Sequence, residues 1–294
     1  MRKWFKRNVE GYLFILPWLI GVIVLAIGPM AASLGLSLTE YEILTPPIFA
    51  GLANYQEIVG DELFWTSLWN TVYYVVVGVP LRLLLALFLA MLLNQQLGGM
   101  AFFRTIFYLP SVTAGVAVSL LWSWIFEPEF GVLNALLAKI GITGPSWLGS
   151  TTWAMPALII MSVWNVGRPM LIFLAGLQSV PNYLYEVVEL DGGGAWQKFR
   201  TVTVPMMTPI IFFNLIMTLI QSFQVFTNAY IMTGGGPANA TLVYILYLYN
   251  NAFQWLHMGY ASALAWVLFA IVFILTIIQV KFSDRWVYYE GVRR

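Results

Sequence analysis

Five polar side chains interrupt an otherwise apolar stretch in the last third of the chain: Asn214, Thr218, Gln221, Gln224 and Asn228. Their spacings of 4, 3, 3 and 4 residues put them on one stripe of a helix that turns about 100° per residue. Amides and a hydroxyl arranged in this way offer donors and acceptors together, the chemistry that lines a path for a hydroxyl-rich solute. The same groups also serve as hydrogen-bonding glue between helices. A second cluster is Trp164, Asn165 and Arg168, just before Pro169, which can open a helix ladder at that point. Trp164 and Asn165 offer a ring and an amide to a solute, while Arg168 suits a backbone carbonyl or a neighbouring chain. Arg82, just after Gly78-Val79-Pro80, reads as a structural or interfacial charge, and His257 beside Trp255 as a solvated ring. With no Cys there is no disulfide framework and no thiolate metal site, and a single His leaves little for metal binding, so none is expected. No constellation of nucleophile, base and acid is present, so an enzyme within the membrane is not expected.

These residues sit in a chain of 294 residues that is 60% hydrophobic and only 9% charged, with a mean hydropathy of +0.80. Soluble domains carry about 25% charged residues. Lipid has to account for the missing charge, and the partners include a bilayer. A net charge of +1 leaves no basic stripe for nucleic acid. A bilayer core is roughly 30 Å thick and needs about 20 apolar residues per helix. Segments 12–36, 66–93, 103–126, 153–177, 206–232 and 260–280 meet that need, which predicts an all-α membrane protein with six transmembrane helices. The alternating pattern of a transmembrane barrel is missing. The first segment is longer than the apolar region of a signal peptide and reads as retained.

Lys and Arg bias sets the orientation. With the amino terminus inside, the inner segments hold Arg2, Lys3, Lys6, Arg7, Arg104, Lys198, Arg200, Lys281, Arg285, Arg293 and Arg294, and the outer loops hold only Lys139. Both termini are therefore expected to be cytoplasmic. Loops 39–65, 127–152 and 233–259 fall outside, and loop 178–205 falls inside. The expected organisation is residues 1–65 as an N-terminal cytoplasmic segment, first helix and outer loop. Residues 66–281 form a five-helix domain, and 282–294 a cytoplasmic tail.

The inner loop carries the most information. Pro181 can open a helix, Glu186, Glu189 and Asp191 give it a polar face, and three consecutive glycines from Gly192 end it. A second short helix leads to Pro205. Two short helices between spans make either a docking knob or a plain surface linker. The loop resembles the EAA loop of transmembrane subunits in binding-protein-dependent ABC importers, the carbohydrate-uptake group that includes the maltose permease subunits. Glu186, Asp191, Gly192, Phe199, Val202, Val204 and Pro205 match the family pattern at its spacing. Val187 and Val188 stand where that pattern has alanines, and Gly193 stands for a third. Gly51-Leu52-Ala53-Asn54-Tyr55, Phe103-Arg104-Thr105 with Leu109-Pro110, Leu174-Ala175-Gly176-Leu177-Gln178, Thr233-Gly234-Gly235-Gly236-Pro237 and Tyr260-Ala261-Ser262-Ala263 are similar to further signatures, so the likeness spans nearly the whole chain.

The resemblance implies a type I ABC importer fold and a permease subunit in the cell (inner) membrane of a prokaryote. By that resemblance the subunit would form half of an alternating-access pathway for a sugar, oligosaccharide or polyol. It implies a second homologous permease, two cytoplasmic ATPase subunits and an extracytoplasmic solute-binding protein as partners. Glu186, Asp191, Gly192, Phe199 and Pro205 would then belong to the loop that couples to an ATPase. No cofactor is expected on this chain. ATP and Mg are implied on the ATPase, since no Gly-rich loop ending in Gly-Lys-Ser/Thr is present here. The rival is a self-sufficient secondary transporter. Such folds usually show internal repeats, and ion-coupled ones commonly carry intramembrane acids. Neither feature is seen in this sequence.

Overall fold

The computed structural model describes residues 2–95 and 97–288, with side chains from residue 11 onward. The chain is helical almost throughout. Helix α1 (Arg2–Val22), a π turn (Ile23–Ile27) and α2 (Gly28–Ser37) run on from one another. A two-stranded antiparallel ribbon follows, β1 (Thr39–Glu40) with β2 (Ile48–Phe49), and then α3 (Ala53–Gly60). The long α4 (Glu62–Leu93) leads into α5 (Met100–Tyr108), a 3-10 turn (Leu109–Val112) and α6 (Gly115–Ile125). Next come α7 (Val132–Lys139), α8 (Ala154–Trp164), α9 (Gly167–Ser179), α10 (Asn182–Leu190) and α11 (Ala195–Lys198). After a π turn at Phe199–Thr203 the chain continues as α12 (Val204–Phe223), α13 (Thr227–Met232), α14 (Tyr244–Tyr249) and α15 (Met258–Ser283).

Among the described residues, four runs are long and apolar enough to cross a membrane unbroken: Gly11–Ser37, Glu62–Leu93, Ala195–Met232 and Met258–Ser283. Two more qualify only as bent pairs. Met100–Val112 meets Gly115–Ile125 at 99°, and Ala154–Trp164 meets Gly167–Ser179 at 43°. The sequence reading treated 103–126 and 153–177 as single helices, and that part of it needs correcting. The second break has a direct cause. Pro169 has no N–H to give the carbonyl of Asn165 four residues back, and its ring crowds that carbonyl. The ladder accordingly opens at Asn165 and Val166. The sharper bend lies at Thr113 and Ala114, whose backbone is extended with ψ of 144° and 126°.

By its contacts the chain divides into two compact units. The first comprises residues 1–61 and 248–270. Here Asn54 Nδ2 donates to the carbonyls of Ser37 and Thr39, both at 2.9 Å, and Tyr55 Oη bonds Ser37 Oγ at 2.8 Å. Those two carbonyls lie where α2 ends, so the Gly-Leu-Ala-Asn-Tyr signature acts as a clamp on the helix terminus. Gly259 passes so close to Thr39 that a Cβ would meet its carbonyl oxygen. The second unit comprises 62–247 and 271–294, and α4 is its axis, packed against α8, α9 and α12. Arg104 closes the end of α4, with Nη2 2.8 Å from the carbonyl of Leu93, where a cation also suits the helix dipole. Gly176 lets α9 meet α12, since a Cβ there would collide with Ile210 and Met207. Asn70 and Thr71 of α4 hold the loop before α14: Asn70 Nδ2 donates to the carbonyls of Asn239 and Leu242, and Thr71 Oγ1 accepts from Tyr244 N–H.

Candidate functional site

Within the second unit three helix interruptions converge. They lie at Thr113–Ala114, at Asn165–Val166 and at Gln224–Phe226, and each leaves backbone and side-chain polar groups inside an apolar bundle. Ser111 Oγ donates to Asn165 Oδ1 at 2.9 Å, joining the first break to the second. Ser119 Oγ donates to Asn228 Oδ1 at 3.2 Å, joining the first to the third. Gly167 makes the approach of the first two possible. A Cβ on Gly167 would stand 2.8 Å from the carbonyl oxygen of Phe107 and from Tyr108 Cα. Arg82 reaches in from α4, its Nε 3.1 Å from the carbonyl of Ser162. A cavity of about 70 Å³ lies between them, lined by Arg82, Thr113, Ser162, Trp164, Asn165 and Asn228 among others. Trp164 borders it with an exposed ring, which sits edge-on to Trp122 at 5.9 Å.

Of the five-residue polar stripe, Asn228 alone lines this cavity. Asn214 and Thr218 are buried in α12, in register with the buried Ser222 one turn on. Gln221 and Gln224 are exposed. The uniform helical period behind the stripe ends at Phe223, where α12 stops, so the five positions do not share one helix face. Trp164 and Asn165 fall at the cavity together. Arg168 is exposed on the first turn of α9, and His257 Nε2 lies 3.9 Å from Glu42 Oε1 in the first unit. Ser111, Ser119 and Ser162 are the groups sequence reasoning missed. Serines are common in spanning helices, and only Ser111, directly after the Leu-Pro pair, carried a positional signal.

The loop between α9 and α12 forms the second region. Gly192 sits at φ +77°, and the N–H groups of Gly192 and Gly193 bond the carbonyls of Glu189 and Val188 at 2.9 and 2.8 Å, ending α10 as a left-handed glycine cap does. Lys198 Nζ lies 2.7 Å from Glu189 Oε1, tying α11 back to α10. Glu186 and Asp191 are exposed. Phe199 is half-buried under Trp196, and the carbonyl of Pro205, also half-buried, accepts Thr208 Oγ1 at 2.7 Å. What sets this segment apart is its other face. Tyr183, Val187 and Leu190 follow one another at helical spacing along α10 and are all exposed, Leu190 at 87%. Trp196 joins them at 71%. Val188 and Gly193 touch: a Cβ at Gly193 would fall 2.5 Å from Val188 Cγ1. The larger residue at one position and the smaller at the other therefore exchange volume across the bend.

The comparisons give these regions a context. The profile of the family described as binding-protein-dependent transport system inner membrane component matches residues 63–288. The chain is 48% identical over 291 residues to the probable ABC transporter permease protein YesP of Bacillus subtilis, covering 97% of this chain and 94% of that one. It is 36% identical over 279 residues to the lactose transport system permease protein LacF of Rhizobium radiobacter, covering 92% and 93%. Its fold is similar to that of a chain in the crystal structure of a bacterial alginate ABC transporter in complex with an alginate pentasaccharide-bound periplasmic protein. The TM-score is 0.83 over 97% of each chain, at 23% identity. A self-sufficient secondary transporter is not favoured by these likenesses, and a permease subunit is not itself an enzyme. The chain belongs to the family of inner membrane components of binding-protein-dependent transport systems.

Proposed function

We propose that this chain forms half of the translocation pathway of an ATP-driven sugar importer that works by alternating access. The observation that carries the reading is the meeting of three interrupted helices at one polar cavity inside an apolar bundle. Irregular backbone at membrane depth is tolerated where it lines a cavity or is buried in protein. Asn165, Asn228 and Trp164 supply amides and a ring there, while Asn214 and Thr218 are buried within α12 and Gln221 and Gln224 are exposed. The sugar class follows from the 36% likeness to a lactose permease along nearly the whole chain.

The second region supports the source of energy. Tyr183, Val187, Leu190 and Trp196 form an apolar surface on a segment otherwise polar, and such a surface fits the groove of a partner protein. We read α10 and α11 as the coupling helices that sit in a cytoplasmic ATPase subunit, with Glu186, Asp191, Gly192, Phe199 and Pro205 shaping them. Two such subunits hold ATP and Mg, a second permease completes the pathway, and a solute-binding protein delivers the sugar from outside. Both termini then lie in the cytoplasm. Closure of the ATPases draws the coupling helices together and turns the cavity outward, and hydrolysis returns it.

Changing Leu190, whose side chain meets little within this chain, to Asp tests the reading. An affinity-tagged chain purified from its native membranes should bring down an ATP-binding subunit, and L190D should lose it together with ATP-driven uptake, by ~100-fold or more. A chain that purifies alone, or an L190D variant that still binds and transports, overturns the proposal.

A further inference from the structure

Between α11 and α12 the helical run is built to bend. Residues Phe199–Thr203 form a π turn, and Pro205 and Pro209 follow within six residues. Pro205 has no N–H for the carbonyl of Thr201, and Pro209 has none for the carbonyl of Pro205. Prolines and π turns are the usual places where helices bend. A stretch as yielding as this passes on little of what α11 does unless side chains stiffen it. Two contacts grip it. Tyr185, half-buried on α10, has its Oη 3.2 Å from Oγ1 of Thr203, which is buried in the π turn. The segment that follows α15 holds another side. Tyr288 N–H donates to Thr208 Oγ1 at 2.8 Å, Val287 is 1% exposed, and Trp286 meets the Phe212 ring edge-on at 5.9 Å. Thr208 is used twice, because its hydroxyl also donates to the carbonyl of Pro205 at 2.7 Å, the carbonyl that Pro209 leaves without an N–H. Thr203 and Thr208 are five residues apart, which puts the two grips about 140° apart round the helix.

We infer that residues 199–209 are the joint through which movement of α10 reaches α12, with Tyr185 as the positioning residue that drives it and the terminal segment at Thr208 as its brace. When α10 is displaced, the Tyr185–Thr203 bond carries the π turn with it. Helix α12, held at Thr208, then pivots about that point instead of giving way at its prolines. Its far end at Phe223 and Gln224 moves in consequence, and the break that leads to Asn228 moves with it. The inference rests on the importer reading and names the link within this chain between its displayed face and its cavity.

The test uses the full complex, purified through this chain from native membranes into nanodiscs. The chain has no cysteine, so Gln224→Cys gives it a single labelling site at the far end of α12. A small polar maleimide is the probe, applied with and without ATP, Mg and vanadate. Trapping should change the labelling rate of this chain by ~10-fold or more, as a shift between two populated states does. Tyr185→Phe should cut that response ~5-fold, as the loss of one hydrogen bond of ordinary net strength does, with ATP hydrolysis kept within about twofold and the ATPase subunit still co-purifying. Thr203→Val should do the same from the other end of the bond, and Thr203→Ser should restore the response. Thr208→Val removes the brace and should weaken the response too, with Thr208→Ser restoring it. A full response in Y185F and T203V overturns the inference, as does a labelling rate that trapping never moves. Parallel loss of hydrolysis and response also overturns it, since Tyr185 would then belong to the docking face. So does failure of the serine variants to recover the response. A chain that purifies without an ATP-binding subunit would instead sink the importer reading itself.

Discussion

The two regions of this chain are built to opposite rules. At the three helix breaks, polar groups gather within an apolar bundle and line a cavity. On α10 and α11, apolar side chains are displayed by a polar segment, and their surface is left over. Each region is inverted with respect to its own surroundings. The residues that do not suit their surroundings are in both cases the ones with something still to bind. Glycine and proline secure both arrangements. Pro169 opens one helix at the residue that the cavity uses, and Gly192 turns the chain where the displayed face ends.

Disturbing the packing beneath each inversion separates them. Gly167→Leu should have the largest effect, since any Cβ there meets backbone of Phe107 and Tyr108 and must push α5 from α9. Overpacking of this kind costs about 1–3 kcal/mol. The melting temperature in detergent should fall and transport should be lost, while an ATPase subunit still co-purifies through α10. If both regions failed together, they would be one cooperative unit and the contrast would be lost. A smaller effect is expected from Gly193→Ala, at about 1 kcal/mol. Adding Val188→Ala should recover part of it, because Val188 Cγ1 is the nearest of the three crowding atoms, the others being the carbonyl oxygen of Val188 and Gln197 Oε1. A thermal-shift series on the two single variants and the double gives the coupling, and strict additivity would show that the volume exchange has no energetic meaning. The smallest change belongs to Glu189→Gln. It breaks the pair with Lys198, but Glu189 is largely exposed, and such pairs are worth about 0.2–1 kcal/mol. Retention of the ATPase subunit should hardly move, which locates the docking strength in Leu190 and its neighbours.

How much of this was legible beforehand depended on the kind of signal. The spans that contain α4, α12 and α15 could be read from apolar run length alone. The break at Asn165 was announced by Pro169, four residues on. The bend at Thr113 was not, because two extended residues between Pro110 and Gly115 leave no periodic trace. The stripe from Asn214 to Asn228 assumed one unbroken period. The helix stops at Phe223, so Gln224 lies beyond it and Asn228 arrives at the cavity from a separate short helix, while Gln221 keeps the period of Asn214 and Thr218 and is exposed all the same. Ser119 was invisible because its importance lies in which amide it faces across the bundle, and Ser111 had only its place after the Leu-Pro pair to mark it. In the loop, the glycine run and its spacing revealed the cap, but the exposed Tyr183, Val187 and Leu190 had no meaning until α10 was seen to lie outside the bundle.

The first long helix shows what such architecture leaves free. Across its most apolar stretch, within Gly11–Ser37, the chain buries none of it. It is fastened by Asn54 and Tyr55 at Ser37, with Trp266 Nε1 reaching Ser33 Oγ at 3.2 Å. Within this chain the helix is a mast stepped at one end, held at its last turn and bare along the shaft. Exchanges among Leu, Ile, Val and Phe along the shaft are therefore expected to leave this chain's own packing as it is, whereas a change at Ser37 or Asn54 would loosen its tether.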